Sequence, residues 1–181
     1  MSPYRRGFKA EAERIAAEAR SELGIGLYRA LDPHALAEFL DVPVLPLTAL
    51  TGVPTAVAVL GGAEKSAFSA MTVFRGMERT IVHNDTHVPA RQASNLAHEL
   101  AHGLLLHPAR PALNAAGCRD WDAEIEHEAT YLAGALLIPS KAIWWAAKQR
   151  QSREAIAQQY RCSMEMVLMR LNLTGAGKRF A

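Results

Sequence analysis

Two histidines and a glutamate lie within one five-residue stretch, His98-Glu99-Leu100-Ala101-His102. Residues four apart on a helix share one face, with Cβ atoms about 5–6 Å apart, so both imidazoles can reach one metal ion. This HExxH spacing is a helical zinc-binding pattern. The carboxylate of Glu99, roughly 100° round the helix from His98, can take a proton from water that zinc activates. The stretch therefore predicts zinc ligands at His98 and His102 and a general base at Glu99.

The helix that carries this stretch is expected to be amphipathic. Leu96, Leu100 and Leu104 form a stripe about opposite the two histidines at 100° per residue. The leucines can pack on a core while the histidines face a cleft, as a metal site requires.

A catalytic zinc ion needs a third protein ligand and one open position. The next helical pattern, residues 122–138, offers four candidates, which are Glu124, Glu126, His127 and Glu128. On a helical wheel only Glu126 falls inside the apolar arc. A carboxylate on a buried face is costly unless a cation pairs with it, so Glu126 is the predicted third ligand. The alternative for Glu126 is a buried salt bridge to an arginine, and Glu124 and Glu128 are expected in solvent.

Three segments together resemble the ImmA/IrrE metallopeptidases. They are HELAH, the preceding VHNDTHVPARQASNLA and the following EHEATYLAGALLIP, and the resemblance extends from RGFKAEAERIA to SMEMVLMRLNLTG. Four positions depart from the usual family pattern: Ala101 replaces Gly, Thr130 replaces Asn, Leu132 replaces Phe and Ile138 replaces Met. The resemblance implies that the first glutamate of the second motif, Glu126, is the third ligand.

The resemblance also implies a fold and a function. Members of the family are zinc-dependent endopeptidases, and characterised ones inactivate a helix-turn-helix repressor encoded nearby, often under stress or on mobile elements. The implied fold is α+β, a small antiparallel sheet packed against the zinc-binding helices. We expect one domain over residues 1–181, with residues 141–181 as a helical C-terminal extension. Zinc is the expected ion and manganese the alternative.

Several other polar residues lie near the motif in sequence. Arg91 and Asn95 share the helix face of His98. They are candidates to contact the substrate, or to contact a metal ligand on the side that faces away from the ion. His87 is a further candidate, with a loop cap or a solvated ring as the alternative. His107 is expected on the other side of the helix and not as a ligand. Tyr131 is expected to pack or face solvent rather than stabilise an oxyanion.

Caps, prolines and strand formers define the remaining elements. Helices are predicted at residues 8–23, 34–40, from Pro89 and at 122–138, and three shorter helices after N-caps at Ser140, Ser152 and Ser163. Strands are predicted at residues 68–74 and 80–82 around a hairpin turn at 75–78, after an extended segment at 42–47.

Residues 156–171 favour a rival hypothesis, because their spacing resembles a helix-turn-helix and the local charge is basic. The second helix is rich in methionine and leucine, however, so packing on the main body is the preferred interpretation and direct nucleic-acid binding is not expected. The alternative function is a metal-containing regulator that binds a repressor or DNA without hydrolysis.

Composition narrows the class of protein. The net charge of +2 over 181 residues does not by itself indicate nucleic-acid binding. Two cysteines form no disulfide framework or CxxC pair, and the first residues show no apolar signal segment or membrane span. We therefore expect a cytoplasmic protein with no membrane partner, whose substrate is another protein. The oligomeric state is left open.

Overall fold

The computed structural model describes residues 3–51, 57, 68–108 and 122–179. These residues form seven α-helices, three β-strands and two short 3-10 turns. The helices are α1 (Phe8–Glu22), α2 (Pro33–Phe39), α3 (Pro89–Leu104), α4 (Ala123–Leu137), α5 (Ser140–Lys148), α6 (Arg153–Tyr160) and α7 (Met164–Thr174). The strands are β1 (Val44–Pro46), β2 (Ala70–Arg75) and β3 (Glu78–His83), and the 3-10 turns are Leu47–Ala49 and Ala176–Arg179.

The three strands form one small sheet in the order β1-β3-β2. Strands β2 and β3 are the predicted antiparallel hairpin, and Gly76 adopts φ 62° in its turn, a conformation that glycine enters without steric cost. Strand β1 joins the other side of β3 in parallel, with Val44 opposite Ile81. The prediction of an α+β fold with a small sheet beside helices is confirmed, and the parallel third strand makes the sheet mixed.

Side-chain caps account for where several helices begin. The carboxylate of Asp122 accepts hydrogen bonds from the backbone N–H groups of Glu124 and Ile125, and so fixes the start of α4. Asp32, Ser152 and Ser163 cap α2, α6 and α7 in the same way. The cap predicted at Ser140 is wrong.

Ser140 is instead the first residue of α5, after Pro139 at the N-cap position. Its backbone N–H and its hydroxyl both donate to the Glu13 carboxylate of α1. The Ser140 hydroxyl therefore bonds the Glu13 carboxylate of α1 and does not provide the cap of α5 that the local sequence predicts.

The main core lies where α4 packs against both α1 and α3. Leu96 and Leu100 of α3 are buried there, as the leucine stripe predicts, together with Leu132 and Leu136 of α4. Burying each leucine stabilises the fold by about 1.5–3 kcal/mol relative to leaving it in water. This packing fixes the relative position of α3 and α4, the two helices that carry the predicted ligands.

The C-terminal helices are tied to this core by a fully buried arginine. The guanidinium of Arg170 on α7 donates to the backbone oxygen of Ile138, to the Ser140 hydroxyl and to Glu13, whose Oε1 lies 2.7 Å away. The exposed side chains of α7 are Glu165, Leu168 and Asn172, none of them cationic. A helix that reads the major groove presents cations and hydrogen-bonding groups, so this surface does not favour the helix-turn-helix hypothesis.

Among the described residues, no helix is both long and apolar enough to cross a lipid bilayer.

Candidate metal centre

Three side chains from two helices converge on one point. Nε2 of His98 and Nε2 of His102, both on α3, are 3.1 Å apart. Oε2 of Glu126 on α4 lies 3.1 Å from Nε2 of His98 and 3.7 Å from Nε2 of His102. Within the part of the chain that the structure describes, this is the group of residues able to hold a metal ion.

The size and chemistry of this triangle fit zinc. Zinc keeps about 2.0–2.1 Å from imidazole nitrogen and carboxylate oxygen, so ligands at tetrahedral corners lie roughly 3.3–3.4 Å apart. The three observed separations of 3.1, 3.1 and 3.7 Å bracket that value. Two imidazoles and one carboxylate are also a donor set that catalytic zinc uses, with the fourth position open. The residues present therefore fit the ion that the sequence predicts.

The two histidine rings hold Glu126 in its ionised form. Hydrogen bonding from His102, then from His98, lowers the pKa of this carboxyl far below its usual range, although partial burial acts in the opposite direction. A carboxylate that stays charged is the form that binds a divalent cation. Glu126 thus lies where the helical wheel places it, facing the histidines of α3.

Glu99 is buried beside the triangle and is held by a residue that sequence reasoning missed. The Thr72 hydroxyl on β2 donates a 2.7 Å hydrogen bond to Oε2 of Glu99. Thr72 and Glu99 are 27 positions apart, and only the pairing of the sheet with α3 brings them together. Alternation along the predicted strand could have marked Thr72 as facing one side, but not as facing Glu99.

A cleft of about 330 Å³ opens onto these groups. His98, Glu99 and Glu126 line it together with small or polar neighbours, which are Ser69, Ala70, Asn95, His127 and Thr130. The structure thus brings Asn95 to the site, and its buried amide nitrogen has no hydrogen-bond partner among the described residues. Small lining residues leave room for a substrate chain next to the three ligands.

The ligand histidines have neighbours on their far sides. Thr130 Oγ1 lies 3.5 Å from Nδ1 of His98, at the outer limit of a hydrogen bond. His107 Nδ1 lies 2.9 Å from Nδ1 of His102. The prediction that His107 lies on the other side of the helix is wrong, because α3 ends at Leu104 and the chain turns back. Burial, and then the charge of His102, lowers the pKa of His107 to about 4.

Glu128 is buried, so the prediction that it lies in solvent is wrong. Its Oε1 lies 3.1 Å from Nε of Arg5, and its Oε2 lies 3.8 Å from Nε2 of His107. Burial raises the pKa of Glu128, and the charge of Arg5 acts against that rise. The helical wheel of α4 could not reveal a partner that comes from the residues before α1. Glu124 is exposed as predicted.

The remaining candidates lie farther from the ligands. Arg91 donates a long, 3.4 Å hydrogen bond to Ser69, which itself lines the cleft. His87 is buried in the loop before α3, where its ring contacts Asn84 and its backbone oxygen accepts from Gln92.

Tyr131 is buried against other aromatic rings, with its ring centroid 5.4 Å from that of Tyr4 and 5.8 Å from that of Phe8. This agrees with the prediction that it packs rather than acts on an oxyanion.

Comparison with known proteins agrees with this geometry. A model of the peptidase family described as IrrE N-terminal-like domain matches residues 52–172, which include all three ligand candidates and Glu99. No curated protein matches the chain significantly. Since the matched residues make up more than half of the sequence, the chain belongs to the ImmA/IrrE family of metallopeptidases.

Proposed function

We propose that this protein is a zinc-dependent endopeptidase that cleaves a helix-turn-helix transcriptional repressor. The observation that carries the proposal is the convergence of His98, His102 and Glu126 within 3.7 Å of one another, with Glu99 buried beside them. Manganese is the alternative ion, because carboxylate and imidazole ligands suit both metals.

His98, His102 and Glu126 would hold a zinc ion, which would supply polarisation of a peptide carbonyl and water acidic enough to lose a proton near pH 7. Glu99 accepts the proton from the attacking water and delivers it to the leaving amine nitrogen. The Thr72 hydroxyl bonds one oxygen of Glu99, so the other oxygen is left for the water and the proton. Each step thus has one residue of this chain assigned to it.

The substrate chain is expected to bind along β2. Among the described strands, in the order β1-β3-β2, this strand lies at one edge of the sheet, and Ala70 at its start lines the cleft. An extended peptide can add to such an edge through backbone hydrogen bonds, which require no particular side chains. Backbone pairing would align a peptide bond beside the ligands.

The repressor is proposed from the family resemblance, in which characterised members inactivate repressors encoded nearby. A substrate of this kind places the protein in the cytoplasm. The gene next to the one for this chain is therefore the first candidate for the substrate.

The test replaces Glu99 by glutamine in a co-incubation with the neighbouring repressor. The Glu99→Gln variant should bind zinc like the wild type and lose cleavage, because glutamine cannot accept the proton. A Glu154→Gln variant, which changes an exposed glutamate on α6, should cleave normally. Intact repressor after incubation with zinc-loaded wild-type protein, but released from its operator, would support the non-hydrolytic regulator instead. Full proteolysis by Glu99→Gln would contradict the assignment of the base.

A further inference from the structure

We propose that His107 is a positioning residue that fixes the ring of His102 for metal binding, with Glu128 and Arg5 holding His107 in turn. The inference rests on the metal site proposed above. It adds residues that act through His102 and do not touch the ion.

The backbone after α3 places His107 over His102. The N–H of His107 donates to the carbonyl oxygen of His102, and the N–H of Leu106 donates to that of Gly103. Leu106 has φ 53°, so the chain reverses by the paired hydrogen bonds that commonly end a helix. The reversal brings the two Nδ1 atoms to 2.9 Å.

The positions of the hydrogen atoms follow from the ligand role of His102. Its Nε2 lies in the triangle, so once a cation binds, this nitrogen no longer donates to Glu126 and must present its lone pair to the ion. A neutral imidazole carries one hydrogen, which must then be on Nδ1. At 2.9 Å the Nδ1–H of His102 donates to Nδ1 of His107, and that atom must carry a lone pair. His107 therefore has its own hydrogen on Nε2.

Glu128 stabilises that arrangement of His107. Nε2 of the neutral His107 ring lies 3.8 Å from Oε2 of Glu128 and has no direct hydrogen-bond partner among the described residues, so the carboxylate favours a hydrogen on this nitrogen through its negative charge. The Arg5 guanidinium lies 3.1 Å from Oε1 of the same carboxylate and also contacts Glu11 at 2.6 Å. The side chains of His107 and Glu128 are each only 10 % exposed, so bulk water does not replace these contacts.

The consequence for the metal is an oriented ligand. A histidine that binds a metal through one nitrogen usually donates its other N–H, which fixes its ring orientation and makes it a better ligand. Thr130 approaches Nδ1 of His98 only at 3.5 Å, so His102 is the more tightly held of the two rings.

The experiment compares two substitutions of similar size at this position. His107→Leu removes the acceptor at a mostly buried position, whereas His107→Asn keeps an oxygen acceptor near the former Nδ1. Zinc affinity is measured by competition with a chromophoric chelator, without any substrate. Losing such a contact typically weakens metal binding about 10–100-fold, which we expect for His107→Leu, with His107→Asn recovering much of the loss. His34→Leu, which changes an exposed histidine on α2, is the matched control and should bind like the wild type.

The outcomes separate this inference from the proposed function. Failure of the wild type to bind zinc would overturn the metal site itself. Equal zinc affinity of the wild type and His107→Leu would overturn the role of His107 alone. Should His107→Leu not fold, judged by circular dichroism of the metal-free protein, nitrogen NMR of the zinc-loaded wild type decides. A hydrogen on Nε2 of His107 supports the inference, and a hydrogen on its Nδ1 overturns it.

Discussion

Gly134, in the last turn of α4, is the position where a single added methyl group should do most harm. A Cβ atom there would lie 2.5 Å from Cδ of Arg170 and 2.8 Å from Cε of Met169. The end of Met169 can rotate away, but Arg170 is fully buried and fixed by Ile138, Ser140 and Glu13. The close approach of α4 and α7 therefore depends on glycine at this position.

The expected cost of Gly134→Ala is a balance of two effects. Forcing extra volume into a packed interior costs about 1–3 kcal/mol, and the fixed Arg170 puts this case near the upper end. Alanine favours a helix interior over glycine by about 1 kcal/mol, which acts in the opposite direction. The net loss in free energy of unfolding should be about 2 kcal/mol. In a domain of this size that lowers the melting temperature by roughly 4–8 °C.

Gly103→Ala is the control for this measurement. A Cβ atom on Gly103 would clash only with the end of the Arg79 side chain, at Nη1, which is partly exposed and can move. The free energy of unfolding of Gly103→Ala should stay close to that of the wild type. The gain from placing alanine rather than glycine in a helix offsets the small cost of moving the Arg79 side chain. Both variants are melted with a chelator present, since bound metal would add stability of its own. A Gly134→Ala protein that melts at or above the wild-type temperature would refute the packing argument.

Two further predictions concern the contact between Thr72 and Glu99 and the ion pair between Glu13 and Arg170. Thr72→Val removes the hydrogen bond to Glu99 at nearly constant volume, so kcat should fall while zinc affinity is unchanged; equal kcat would show that Thr72 does not position the base. Burial raises the pKa of Glu13, but the charge of Arg170 and the hydrogen bonds from Ser140 outweigh it, and the net pKa is lowered. The ionised form of Glu13 therefore stabilises the fold above the unfolded-state pKa of about 4.3, and this contribution is lost as the pH falls through the lower folded value. The free energy of unfolding, measured with urea, should differ less between the wild type and Glu13→Gln at pH 3 than at pH 7. A difference that does not change with pH would contradict the contribution of the ion pair.

The features that sequence predicts well are those set by short spacing along one element. The shared face of His98 and His102, the apolar side of α4 that includes Glu126, and the hairpin around Gly76 all follow from local periodicity and turn chemistry. The α+β class is what the family resemblance implies. These features can be predicted without knowing any contact between distant parts of the chain.

The features that sequence analysis missed depend on distant contacts. Glu128 is buried because Arg5 lies against it, and Thr72 reaches Glu99 across the sheet. The orientation of His107 depends on where α3 ends, and a helical wheel continues the helix past that point. Parallel pairing of β1 likewise leaves no local pattern, because its partner β3 lies more than 30 residues away.

The contact between Arg170 and Glu13 joins residues 157 positions apart. During synthesis, α1 leaves the ribosome long before α7 exists. The carboxylate of Glu13 therefore has no contact with Arg170 until α7 is made. An unfinished chain also leaves the carbonyl oxygen of Ile138, which follows α4 directly, without the guanidinium that it accepts from. The helix that carries Glu126 is thus completed by residues translated long after it, and a copy truncated before α7 lacks this support for the candidate metal site.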